Sequence, residues 1–161
     1  MEDFNTLEKV QLLFNSAMPG EEWSAFFVGY KDINATTPSY ALMGGAVGGF
    51  IGGAMNAQEY PYDAMLVALG KNGIAYFPLQ KPSLFKYKLK DLTLEKDKGE
   101  YIPYNIIDKI SAKKFPLGKN KKLRIRVANG KDHHLIINAK EDLPYHDAGV
   151  TELMNRFGKK K

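Results

Sequence analysis

Three histidines and a run of lysines are the first residues in the chain whose types suggest chemistry. His133 and His134 are adjacent, and imidazole is a common metal ligand. Neighbouring residues of a strand point to opposite faces, so this pair cannot grip one ion together. One of them is expected near Arg126 across a hairpin. The 161 residues contain no cysteine, which excludes a disulfide scaffold, a thiolate metal site and a cysteine nucleophile. No cluster of carboxylates completes a ligand set either, so neither a metal nor a cofactor is implied. His146 falls at the start of a predicted helix, where a structural or exposed role is expected. Asp142 and Asp147 flank that start and read as cap and dipole partners. The dinucleotide, P-loop and nucleophile-elbow signatures are all missing, and a non-enzyme is the expectation.

Two other groups of residues point to binding. Lys113, Lys114, Lys119, Lys121 and Lys122 crowd around one loop, and Lys159, Lys160 and Lys161 follow at the end of the sequence. Such a cluster attracts anionic lipid or nucleic-acid phosphate, or simply solvates a surface. Lysine outnumbers arginine 20 to 3 and no aromatics interleave the basic loop, which argues against a base-stacking site.

The second group is a tetrad written three times, Gly44-Gly45-Ala46-Val47, Gly48-Gly49-Phe50-Ile51 and Gly52-Gly53-Ala54-Met55. It lies within the 26 uncharged residues 33–58. As a helix, the tetrad sets Gly44, Gly45, Gly48, Gly49, Gly52 and Gly53 on one drifting face, with Val47, Phe50 and Ile51 on the remainder. Small residues at such spacing admit a second backbone closely, and the pattern resembles glycine-zipper sequences. Each glycine costs a helix about 0.8–1.0 kcal/mol relative to alanine, so packing on the glycine face must offset the loss. A flexible loop, a packed oligomerising or docking element, and insertion at a membrane surface all remain open. A spanning pass is disfavoured, since about 20 apolar residues are needed and residues 40–57 are one-third glycine.

Length and charge set the frame for these groups. One domain over residues 1–161 is expected, because domains run to roughly 100–200 residues. Hydrophobic residues make up 44% and charged residues 25%, a globular balance. The net charge of +5 hides an asymmetry: residues 1–60 carry 2 basic and 7 acidic side chains, residues 61–161 carry 21 and 11. The opening Met-Glu-Asp-Phe-Asn has no basic n-region or apolar h-region, so a cytoplasmic protein is expected, with membrane association as the alternative.

The elements that would position these groups are legible as periodicities. A helix is predicted over residues 4–18, with Asn5 as cap and Phe4, Leu7, Val10 and Phe14 on one face. A strand from Trp23 is apolar on both faces and is expected to be covered on both. The glycine-rich insertion, residues 33–60, follows. A strand meander then runs through residues 63–69 and 74–77. Phe85, Tyr87 and Leu89 alternate with Lys86, Lys88 and Lys90 as another strand, bulged near Asp91. Residues 95–100 read as a charged loop and residues 101–115 as one strand segment. Leu123, Ile125 and Val127 alternate with Arg124 and Arg126 ahead of the Asn129-Gly130 hairpin, whose partner is residues 132–138. Val150, Leu153, Met154 and Phe157 mark a closing helix, with Gly158 at C′.

That order of about seven strands and a terminal helix resembles the pleckstrin-homology-like superfold, a bent antiparallel barrel capped by its C-terminal helix, here with an extra N-terminal helix. Tyr101-Ile102-Pro103-Tyr104-Asn105-Ile106-Ile107-Asp108-Lys109-Ile110 is similar to an apolar pattern of bacterial PH-like and GRAM-like domains. The resemblance covers residues 23–157 and implies a mainly β interaction module, docking a protein partner or second copy through the glycine segment. Anionic membrane and nucleic acid are the alternative partners. Inositide binding does not carry over, because residues 32–61, the first hairpin loop in this alignment, contain no lysine or arginine.

Overall fold

The computed structural model describes residues 3–32, 62–82, 88–116, 118–128 and 130–158. The glycine face (Gly44, Gly45, Gly48, Gly49, Gly52, Gly53) and the apolar face (Val47, Phe50, Ile51) lie outside the described residues. So do Phe85, Lys86, Tyr87, Asn129 and the terminal lysines.

The protein is mainly β, with a helix at each end. Helix α1 is Leu7–Ala17, and the strands are β1 Trp23–Lys31, β2 Ala64–Gly70, β3 Gly73–Gln80, β4 Thr93–Leu94, β5 Glu100–Pro103, β6 Ile107–Lys114, β7 Lys121–Val127 and β8 Asp132–Ile137. Helix α2, His146–Phe157, closes the chain. All eight strands join one antiparallel sheet in the order β4-β3-β2-β1-β8-β7-β6, with β5 also on β3. Among the described residues the sheet does not close through strand pairing. Instead α2 packs along β1 and reaches β6, where Gly158 bridges Ala112.

Strand β1 explains the layering. Ala25 and Phe27 enter an inner core with Met65, Val67, Leu123, Ile125, Leu135 and Leu153. Phe26 and Val28 face the other way, into an outer core with Phe4, Val10, Phe14, Leu66, Phe77 and Tyr145. The double-sided apolar strand is therefore covered on both faces, as its sequence requires. Every residue of β2 is buried for the same reason.

Local chemistry corrects several expectations. Thr6, not Asn5, caps α1, its hydroxyl accepting the Lys9 N–H at 3.2 Å. Leu7 is 44% exposed, so the buried stripe starts from Phe4 and runs through Val10 and Phe14. Residues 101–115 are two strands, not one. β5 pairs β3 while β6 pairs β7, and a 3-10 turn at Tyr104–Ile106 carries the chain between them. Leu89–Asp91 is likewise a 3-10 turn where a strand was expected. Tyr145 occupies the cap position of α2 without a side-chain bond, so Asp142 is not the cap, although Asp147 does lie in the first turn. Gly158 ends α2 in an extended conformation, φ −69°, and not in a left-handed one.

Candidate anion-binding face

The β6–β7–β8 sheet is built from alternation. Leu123, Ile125 and Val127 point inward, so Lys122, Arg124 and Arg126 must point outward. Register then sets their neighbours. Lys113 lies opposite Lys122, Ser111 opposite Arg124 and Lys109 opposite Arg126. On the other side Lys122 meets Ile136, Arg124 meets His134 and Arg126 meets Asp132. Arg124, rather than Arg126, is thus the neighbour of His134, because the hairpin register places Ile125 opposite His133.

A bulge between Ile107 and Lys109 completes the face. Ile107 pairs with inward Val127, and the extra residue reverses parity so that Lys109 pairs with outward Arg126. The outer face therefore gathers Lys109, Lys113, Lys122, Arg124 and Arg126 across three rungs. Arg124 is held by Asp132 through a two-pronged contact, Nε to Oδ1 at 3.0 Å and Nη2 to Oδ2 at 2.8 Å. His134 Nε2 adds a third contact to Asp132 at 3.2 Å. Burial alone would raise the Asp132 carboxyl, but the Arg124 fork and the His134 ring hold it below the ordinary range. Among the described residues no carboxylate pairs with Lys109, Lys113 or Arg126. The face remains cationic.

The five lysines picked out from sequence are only partly gathered there. Lys113 and Lys122 share the outer face, whereas Lys114 and Lys121 form the next rung and point to the opposite side. Lys119 lies in the turn, its carbonyl accepting from Lys121 Nζ at 2.7 Å. Lys109, Arg124 and Arg126 join the face without having been part of the predicted cluster. The alternation of Lys122, Arg124 and Arg126 carried the signal for two of them, and the bulge hid the third.

His133 and His134 do point to opposite faces. His133 is buried beside Tyr62, whose hydroxyl oxygen is 3.1 Å from Nδ1. His146 is wholly buried and structural. Its Nε2 is 2.9 Å from the Asn138 carbonyl, which can only accept, so Nδ1 is left to accept the Val28 N–H at 3.4 Å. A second polar knot lies around the β2–β3 hairpin. Glu21 accepts from the Tyr101 hydroxyl at 2.6 Å and from the N–H groups of Glu22 and Asn72 at 2.9 and 3.0 Å. Arg156 from α2 donates to the Gly70 carbonyl at 3.2 Å and to the Tyr104 hydroxyl at 3.0 Å. These groups satisfy one another and hold elements together.

No protein-family model matches the chain, and neither the curated proteins nor the solved structures yield a match. Among the described residues no helix is long and apolar enough to cross a membrane.

Proposed function

We propose that the protein is a non-catalytic interaction module that docks on an anionic bilayer surface, residues 33–58 supplying the apolar contact and the outer face of β6–β8 the electrostatic one. The observation that carries this reading is the position of Asp32 and Tyr62, the described residues on either side of that stretch. Asp32, 5% exposed, donates its backbone N–H to the His134 carbonyl at 2.9 Å and pairs with Lys122 at 3.6 Å. Tyr62 meets His133 on the same strand. The described residues that flank the uncharged stretch, Asp32 and Tyr62, thus both contact β8, Asp32 beside the cationic face and Tyr62 on the inner face. An apolar contact of modest strength joined to a basic patch is the two-signal route to membrane association. Each lysine or arginine near an anionic surface adds about 1 kcal/mol. A nucleic acid would use the cations alone and leave the apolar stretch without a role. The likeness to PH-like domains fits a binding module of this kind.

The glycine tetrad itself favours a second reading, in which Gly44 to Gly53 pack a second copy of the chain. Flotation with vesicles of phosphatidylcholine, with and without phosphatidylserine, separates the cases. The membrane reading expects flotation with the anionic vesicles, weakened by salt and by Lys122→Glu with Arg126→Glu. No flotation with either vesicle overturns it. Sedimentation of wild type and Gly48→Leu tests self-association, which predicts a smaller assembly for the variant.

A further inference from the structure

Resting on that membrane reading, we infer that the tip of the β6–β7 hairpin is a membrane wedge, with Phe115 entering the headgroup layer inside a collar of lysines. The first observation is a pair of unfavourable rungs. Lys113 faces Lys122 and, one step on, Lys114 faces Lys121. Like charges directly opposite each other destabilise a sheet. Among the described residues Asp32 reaches Lys122, and Lys121 reaches the Lys119 carbonyl. A hairpin end set among anionic headgroups would meet both rungs, one on each side of the sheet.

The second observation is Phe115 itself. Its ring is partly exposed and packs against neither core layer. Lys122 Nζ lies 6.0 Å from the ring centroid. Pro116 beside it is exposed. An aromatic ring at a hairpin tip, away from the interior, suits the interfacial level of a bilayer, with lysines spreading to the phosphates around it.

The third observation is that Phe115 and Asn120, on either side of the turn, are tied to each other and to the fold. The Phe115 N–H donates to the Asn120 carbonyl at 3.1 Å, closing the turn that Gly118 makes with φ +88°. The Asn120 side chain accepts the Ala139 N–H at 2.9 Å, tying the turn to the chain after β8. Such ties reduce the freedom that Phe115 loses on docking.

The test uses the full chain with Phe115→Ala and Phe115→Trp. Phe115→Ala is expected to weaken partitioning onto phosphatidylserine vesicles roughly ten-fold while its thermal melt stays unchanged. Phe115→Trp, read as a difference against the Trp23 background, is expected to shift its emission to the blue and to be quenched by lipids brominated near the headgroup. Normal flotation by both variants without shift or quenching overturns the wedge and leaves the membrane reading standing. Absence of flotation by the wild-type chain removes both. An emission shift of the Phe115→Trp variant with single-stranded RNA and none with vesicles also overturns the wedge, in favour of base stacking.

Discussion

Gly149 of α2 lies so close to the Phe26 carbonyl of β1 that a Cβ at position 149 would overlap the oxygen. The contact shows how an open sheet is sealed. Among the described residues β1 pairs with β8 only at Tyr30 and Lys31, and no strand covers the rest of that edge. α2 lies along it, with His146 accepting the Val28 N–H and Gly149 admitting the backbone of Phe26.

Gly149→Ala gives this contact a sharp sign. By helix propensity alone the change should stabilise α2 by about 1 kcal/mol. The overlap is with backbone, which cannot rotate away, so helix and strand must separate at a cost of about 1–3 kcal/mol or more. The expected outcome is a lower melting temperature, measured by circular dichroism. An unchanged or higher value would show that α2 can slide freely along β1.

Glu21 supports the hairpin at the Gly70 end of β2. Burial would raise its carboxyl, but the bonds from Tyr101, Glu22 and Asn72 together hold it below its ordinary 4.5. Burial, followed by the Glu21 carboxylate, pushes the Tyr101 hydroxyl up to about 12. A carboxyl depressed by folding contributes stability above its unfolded value and loses it as pH falls through the folded one. Glu21→Gln should therefore cost about 1.5–3 kcal/mol at pH 7. The gap between variant and wild type should narrow below pH 4.5 in urea melts. A gap independent of pH would mean that shape, not charge, holds the knot.

Particular residues show what the sequence made legible. Leu123, Ile125 and Val127 announced β7 because a half-buried antiparallel strand needs alternation, and Trp23 to Gly29 announced a doubly covered strand because both parities are apolar. The break at Tyr104 left no such mark. It exists because β5 and β6 pair with strands far apart in sequence, a tertiary demand that local pattern does not record. The same limit applies to the cationic face. Lys109 reaches it through a bulge, and whether Lys121 and Lys122 share a face depends on where the turn ends. Thr6 displaced Asn5 as cap by one position, which periodicity resolves poorly.

Lys131 offers a test of a buried pair. Its side chain is 3% exposed, and Nζ sits 3.2 and 3.1 Å from the two Glu100 oxygens, one of which also accepts from the Tyr76 hydroxyl at 2.7 Å. Removing Lys131 leaves the Glu100 carboxylate, 31% exposed, without its cation and costs about 1–3 kcal/mol. Lys131→Ala should destabilise by this order in urea unfolding. Lys131→Met with Glu100→Gln should recover much of the loss, because no full charge then remains unpaired. If the double variant is no more stable than the single one, packing around the lysine stem accounts for the cost instead.

The same region makes acid stability depend on His133. Burial lowers its pKa to about 4 from an ordinary 6.5. The Glu100 and Asp132 charges pull the other way, while those of Lys131 and His134 add to the lowering. Tyr62 and Tyr76 enclose the ring, at centroid distances of 5.9 and 5.5 Å. Between pH 6.5 and about 4 the unfolded chain takes up a proton at this site that the folded chain refuses. Stability must then fall as pH drops through that window, by roughly 3 kcal/mol if this group acts alone. His133→Phe removes the titration and keeps a ring between the two tyrosines. Its unfolding free energy, measured in urea from pH 7 to pH 4, should lose most of the slope seen in the wild type. An equal slope in both proteins would place the acid sensitivity at other groups and leave His133 a packing residue.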